Sequence, residues 1–189
     1  LQANREEEGK FFAKMATAAA SEREWGHTGS FFNYLWAPLG AAQGGEEAGA
    51  SYFSRVSWML DLNRCWNGRF QYDCLNREGP NNGSDYHSYR MSTAALLTYA
   101  LPKRKLRITG KGHDSSRWLS SAEVTAAAQA DDYDEDYADT RSVSQLISDL
   151  SNWSPKVRYF AALELGTSGT SSSDRDQLRS MASDTNASS

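Results

Sequence analysis

Apolar residues return every three to four positions over most of this chain, a spacing that specifies amphipathic helices and leaves little room for strands. Phe12, Met15, Ala16 and Ala19 stand at i, i+3, i+4 and i+7 and predict a helix over about residues 6–23 with one buried stripe. Gly26 interrupts it. Thr28 or Ser30 suits the cap of a second helix, in which Phe32, Leu35, Trp36 and Leu39 repeat the spacing. Pro38 lies inside that stretch, where its missing N–H and its ring bend or end a helix. After Gln43-Gly44-Gly45, Glu46 and Glu47 suit the positive end of a third helix, over about residues 46–64. Its Tyr52, Phe53, Val56, Met59 and Leu60 cover a face broad enough for packing on two sides.

The helical period fails between Cys65 and Tyr72, where Asn67-Gly68 is a strong turn signal among Trp66, Phe70 and Tyr72. Residues 73–87 carry Gly79, Pro80, Asn81, Asn82 and Gly83, a loop composition. Periodicity returns through Thr93, Leu96, Leu97 and Ala100, and Pro102 stops it. Lys103-Arg104-Lys105-Leu106-Arg107-Ile108 is a basic stretch that reads as a short strand or extended arm ending at Gly110 and Gly112. Ser120 with Glu123 three residues later predicts a capping box for a helix to about Ala130. The run from Asp131 to Asp139 is acidic, shows no apolar face and reads as a solvated linker. Val143, Leu146, Ile147 and Leu150 then mark a helix. Ser154 is the expected cap of the next, with Pro155 at its first position, Val157, Phe160, Ala161 and Leu165 on its buried face, and Gly166 at its end. Asp174 is the expected cap of a last helix carrying Leu178 and Met181. The expected fold is all-α, in three segments: residues 1–112, 113–140 and 141–189.

A chain of 189 residues can bury a core of its own. Its net charge of -4 exerts no general attraction on nucleic acid or on an anionic membrane, and no nucleic-acid partner is expected. No apolar run reaches the roughly 18 residues of a spanning helix, so no membrane span is expected. The chain opens on Leu1 and a polar stretch, with neither an initiator Met nor a signal-peptide pattern. It reads as a fragment, with the remainder of a parent chain or another protein as the expected partner. Cys65 and Cys74 fit either a local disulfide across the turn, which implies an oxidising compartment, or two half-buried thiols. Asn82-Gly83-Ser84, Asn152-Trp153-Ser154 and Asn186-Ala187-Ser188 fit the glycosylation pattern, which is short enough to recur by chance. The compartment stays open, with the balance toward an extracytoplasmic or secreted setting.

Two stretches resemble known families. The C-terminal "VSQLISDLSNWSPKVRYFAALELG" is similar to a HEAT repeat, in which Pro-x-Val-Arg opens an alanine-rich second helix; Pro155, Val157, Arg158, Ala161, Ala162, Leu165 and Gly166 hold the matching places. One such unit cannot bury its own face, so the resemblance implies a neighbour that covers it. The stretch from "GHTGSFFNYLWAPLGAAQGGEEAG" through "YRMSTAALLTYALPKRKLRITGKG" resembles DUF6288, a family similar to the α/α toroid of terpenoid cyclases and protein prenyltransferases. That resemblance covers about residues 18–111, implies the last few hairpins of a toroid, and brings no established activity.

Several chemical signatures fail on inspection. Asp132, Asp134 and Asp136 alternate like the first ligands of a calcium loop, but Tyr137 and Val143 stand where Gly and Glu are needed. Asp132-Tyr133-Asp134-Glu135 departs from the Asp-x-Asp-Asp motif of cyclases, and a solvated carboxyl has no reason to become a strong acid. Prenyltransferase toroids hold zinc with Asp, Cys and His, yet Cys65, Cys74, His27, His87, Asp73 and Asp85 form none of the tight pairs of zinc sites. No metal or cofactor is expected. Gly26-His27-Thr28-Gly29-Ser30 is not a nucleophile elbow, and Gly110-Lys111-Gly112 is too short for a phosphate loop. What remains is the aromatic and polar set around the loop: Trp66, Phe70, Tyr72, Tyr86, Tyr89 and Arg90 as ligand-binding candidates, with Asp73, Asp85 and His87 as acid–base candidates. In toroids such loops line the cavity mouth, where aromatics and carboxylates suit a glycan or other small ligand. The expected function is a non-catalytic helical scaffold or interaction module; the alternative is an enzyme domain that processes a glycan or small ligand in a toroid cavity.

Overall fold

The computed structural model describes residues 5–21, 31–70, 92–112, 114–168 and 170–183, which belong to two compact units, Leu1–Asp131 and Asp132–Ser189. The described residues form nine α-helices and several short 3-10 turns without a strand, so the fold is all-α. One isolated antiparallel bridge joins Arg64 and Phe70. No described helix is long and apolar enough to cross a membrane.

The first unit holds α1 (Glu6–Thr17), α2 (Phe31–Gln43), α3 (Glu46–Leu62), α4 (Ser92–Ala100) and α5 (Ser121–Asp131). Helix α2 packs on α1, α3 and α4, and α5 packs on α1 and α3. The faces that meet are not the ones the large apolar residues predict. On α1, Ala13 and Thr17 are buried while Phe12 stands outside; on α2, Ala37, Ala41 and Ala42 are buried and Trp36 is exposed; on α4, Ala94, Ala95 and Thr98 face inward and Leu96 faces out. Small side chains let helix axes come closer than bulky ones allow. A Cβ added to Gly40 would lie 2.5 Å from the Cβ of Ala16, so α2 meets α1 almost backbone to backbone. The bulk of the core comes from α3, whose Tyr52, Val56, Met59 and Leu60 pack with Ala20, Ala37, Ala41, Ala95 and Phe70. The buried hydroxyls of Thr17 and Thr98 donate to the carbonyls of Ala13 and Ala94, at 2.8 and 2.9 Å, which satisfies them within their own helices.

Pro38 does not end α2, which continues to Gln43. Pro38 is itself fully buried, and the packing of Ala37, Ala41 and Ala42 on three neighbouring helices compensates for the lost main-chain bond. The basic stretch is not a strand or an extended arm: it winds into 3-10 turns at Leu101–Lys103 and Arg107–Thr109. The capping box before α5 forms as expected. The Ser120 N–H donates to Glu123 Oε2 at 2.7 Å and the Glu123 N–H donates to Ser120 Oγ at 3.3 Å. The bonds from Ser120, main-chain N–H first, hold the Glu123 carboxyl below its ordinary range.

The second unit holds α6 (Glu135–Asp139), α7 (Val143–Asp149), α8 (Pro155–Thr167) and α9 (Ser172–Ser183), with α8 packed on α6 and α7, and α9 on α7. Its opening stretch is folded rather than a solvated linker. Tyr133 and Ala138 are buried, and Asp134 caps α6 by accepting the Tyr137 N–H at 2.9 Å. The Tyr133 hydroxyl donates to Asp149 Oδ2 at 2.8 Å, and Arg141 grips both oxygens of the same carboxylate. Burial first, and then the bond to Asp149, push the Tyr133 hydroxyl far above its ordinary value. Tyr133 and Ala138 therefore supply the apolar face that a count of charges overlooks.

Leu146 and Ile147 of α7 pack into a core with Val157, Ala161 and Leu165 of α8. Ser154 stands at the cap position of α8 but its side chain makes no capping bond. The turn is closed from the other direction. Arg158, one turn into α8, donates from Nη1 to the carbonyls of Asn152 and Trp153 at 2.6 and 3.0 Å, while Asn152 Oδ1 accepts the Ser154 N–H at 2.9 Å. Helix α8 runs past Gly166 to Thr167, and the cap of α9 is Ser171, in a reciprocal box with Asp174. Replacing Arg158 with Ala strips a charged donor from two turn carbonyls. The expected loss is about 1.5–3 kcal/mol of second-unit stability, read as a lower urea midpoint, with Arg158→Lys recovering only part because it offers a point charge in place of a fork.

Candidate functional site

Of the aromatic and polar set expected around the loop, Trp66 and Phe70 are described; Tyr72, Asp73, Asp85, Tyr86, His87, Tyr89 and Arg90 lie outside the described residues, as do Cys74 and His27. The Asn67-Gly68 turn is present. Gly68 takes φ +79°, Asn67 Oδ1 accepts the Arg69 N–H at 3.1 Å, and the Cys65 N–H donates to the Arg69 carbonyl at 2.7 Å. This tight turn sends its two flanking rings in opposite directions. Phe70 enters the core, 5.7 Å from the Tyr99 ring, whereas Trp66 is 97% exposed. The two rings do not share one surface. Tyr99 in turn donates to Asp61; burial first, and then that bond, push its hydroxyl up to about 12.

Among the described residues of the first unit the most heavily bonded polar group is Asp131, the last residue of α5, whose side chain is 1% exposed. Oδ1 accepts the Ser21 N–H at 2.8 Å and lies 2.6 Å from Ser21 Oγ, which also stands 3.0 Å from the Asp131 carbonyl. Oδ2 accepts from Arg55 Nε of α3 at 2.7 Å. One carboxylate thus joins the residues after α1 to α3 and α5. Ala20, Ser54 and Trp58 shape a shallow hollow of about 260 Å³ beside it. Because its oxygens are already committed to donors, this carboxylate is arranged for anchoring rather than for accepting a substrate proton.

A second concavity of about 200 Å³ opens between the start of α3 and the turns that follow α4, walled by Ala42, Gly45, Gly49, Leu101 and Pro102, with Glu46, Arg104 and Thr109 as its polar members. Its volume is below the roughly 300–1,000 Å³ of sites for drug-sized ligands, so it admits a small aliphatic group rather than a saccharide. Trp118 fixes one end of this region. The Arg104 guanidinium lies 4.7 Å over the Trp118 ring and donates to the Gly110 carbonyl at 2.8 Å. On the other side, Gly45 takes φ +104°, and an added Cβ there would stand 2.8 Å from the indole. Arg104 itself adopts a left-handed backbone at φ 44°, a strain of about 1–2 kcal/mol that its stacking and hydrogen bond offset. The Trp118 indole N–H is buried without an acceptor, which adds to what that stacking must offset.

Sequence reasoning passed over Ser21, Arg55, Asp131 and Trp118. Arg55 and Asp131 are 76 positions apart, and Asp131 stands at the head of an acidic run in which nothing marks it as buried. The one available signal for Trp118 is Gly44-Gly45, a pair of small residues that leaves room for a ring. Among the described residues no group of three or more His, Cys, Asp and Glu side chains stands close enough to hold a metal ion.

The Asp131 joint makes an asymmetric prediction. Arg55→Met removes a charged donor from a carboxylate that is 1% exposed and is expected to lower stability by about 3–5 kcal/mol. Asp131→Asn is expected to cost less, because the Arg55 side chain, at 27% exposed, keeps access to water. Urea unfolding of both full-length variants checks the order; equal losses, or a larger one for Asp131→Asn, contradict it.

No curated protein and no solved structure matches the chain. One protein family does match, over residues 1–110, a span that takes in α1 to α4 and the basic turns and stops before Trp118 and Asp131. By that match, over more than half its length, the chain belongs to the family described as Domain of unknown function (DUF6288).

Proposed function

We propose that this chain is a non-catalytic helical scaffold, with hairpins of α/α toroid type in the first unit and a HEAT-like pair in the second, that holds a protein partner. The observation that carries this reading is the set of large apolar side chains turned outward on helices whose inner faces are already filled. On α8, Tyr159 and Leu163 are exposed one turn apart, while Val157, Ala161 and Leu165 occupy the buried side. Single exposed apolar residues are ordinary. A pair at i and i+4 outside a filled inner face is the arrangement through which neighbouring helical repeats bury one another. Support for the HEAT-type reading comes from Pro155 at the first helical position and from Arg158 clamping the inter-helix turn. Support for the toroid-type reading comes from α2 and α3, consecutive helices packed together across a two-residue break.

The test is quantitative affinity capture from the native source with the full chain and with Tyr159→Ser/Leu163→Ser. The reading expects a stoichiometric partner that the double variant loses while its circular dichroism and urea midpoint stay unchanged. Capture unaffected by the double substitution would remove this face from the account. Glycan hydrolysis by the full chain, abolished by Asp85→Asn, would replace the scaffold with an enzyme.

A further inference from the structure

The turns after α4 concentrate positive charge on an otherwise acidic chain. Residues 102–112 carry Lys103, Arg104, Lys105, Arg107 and Lys111 without one acidic residue, in a chain whose net charge is -4. Arg104 is committed to Trp118 and the Gly110 carbonyl. Lys103, Lys105, Arg107 and Lys111 are exposed, and none enters an ion pair among the described residues. The nearest acid in sequence, Asp114, accepts the Ser116 N–H at 2.9 Å, and Glu46 lines the neighbouring cleft. Between the cations stand two aliphatic side chains, Leu106 at 50% and Ile108 at 51% exposed.

These residues are presented on a fixed support. Thr109 is buried; its Oγ1 accepts the Leu106 N–H at 3.2 Å and lies 3.0 Å from the Leu106 carbonyl. The Lys111 N–H closes the turn on the same carbonyl at 3.0 Å. A locked turn loses little conformational freedom on binding, so whatever its side chains gain is kept as affinity.

We propose that this turn docks the protein on an anionic lipid bilayer, with Lys103, Lys105, Arg107 and Lys111 against the headgroups and Leu106 and Ile108 dipping into the interface. Charge complementarity favours that occupant: four unpaired cations meet the anionic headgroups, and the negative remainder of the chain is repelled from the same surface, which orients the molecule. The apolar content decides against a nucleic acid, because residues 102–112 hold no aromatic ring on which a base could stack. The cleft of about 200 Å³ beside the turn is too small to seat the buried aromatic or arginine anchor on which a protein interface depends. A bilayer needs no such pocket, since its interface yields to aliphatic tips.

Each cation near an anionic surface is expected to strengthen binding about fivefold. The experiment is co-sedimentation of the full chain with vesicles of phosphatidylcholine alone and of equimolar phosphatidylcholine and phosphatidylglycerol. The proposal expects partition onto the mixed vesicles only, lost when salt is raised from about 0.1 M to about 1 M, where the Debye length falls from about 10 Å to about 3 Å. Lys105→Gln and Arg107→Gln are each expected to weaken it about fivefold. Leu106→Ser/Ile108→Ser, at exposed positions that leave the circular dichroism unchanged, is expected to weaken vesicle binding and leave binding to soluble polyglutamate or to duplex RNA unaffected. No partition onto the mixed vesicles overturns the proposal. So does partition that is indifferent to Leu106 and Ile108 while polyglutamate or RNA binds as well, which would reassign the patch to an acidic protein or a nucleic acid.

Discussion

Gly40 has no side chain where α2 meets α1, and the methyl of Ala16 takes the space its Cβ would fill. That approach favours small side chains where α1 and α2 meet: Ala13, Thr17, Ala37, Ala41 and Ala42 are inside while Phe12 and Trp36 are outside, and α4 likewise turns Ala94, Ala95 and Thr98 inward and Leu96 outward. Close-packed interiors exact this matching, because a helix held near its neighbour has no slack in which to turn a bulkier face inward. Tyr52, Val56, Met59 and Leu60 of α3 then fill what α2 leaves. The outward aromatics are therefore a consequence of the core rather than a defect in it.

Within each unit a carboxylate acts as a joint. Asp131 collects Ser21 and Arg55, and Asp149 collects Tyr133 and Arg141. Asp131 is buried and Asp149 half-buried, and each receives donors from separate segments, which fixes how those segments meet; a carboxylate held this way leaves little freedom, since losing a donor there costs more than the bond itself contributes. Arg104 on Trp118 performs a related service without an anion, holding the basic turn against the start of α5 by a ring face and a main-chain carbonyl. The family match ends at residue 110, so Trp118 and Asp131 complete the first unit from beyond it.

The helical class, the stop of α4 before Pro102, the broad inner face of α3, the Asn67-Gly68 turn and the Ser120 capping box were legible because each depends on residues a few positions apart. The choice of inner face was not, because it depends on which neighbour comes near. Trp36 scores as a core residue on hydropathy and is excluded by the room available; Pro38 scores as a helix breaker and is held by three neighbours. The acidic stretch misled for a similar reason: Tyr133 and Ala138 face a core made by helices that follow them, so the charges alone gave the wrong environment. Of the ligand set, Phe70 is accounted for by the core and Trp66 by the surface, and the other members lie outside the described residues.

The measurement that bears most directly on this account is the unfolding free energy of Gly40→Ala. Within a helix, alanine in place of glycine ordinarily stabilises by about 0.5–1 kcal/mol. Here the added methyl meets a fixed Cβ in place of open space, so urea unfolding of the full chain should show a loss of about 1–3 kcal/mol instead, and Ala16→Gly in the same chain should recover most of it. A Gly40→Ala chain as stable as the wild type or more so, with no coupling to residue 16, would mean that α1 and α2 do not meet through this contact and that the alanine-faced core is wrong.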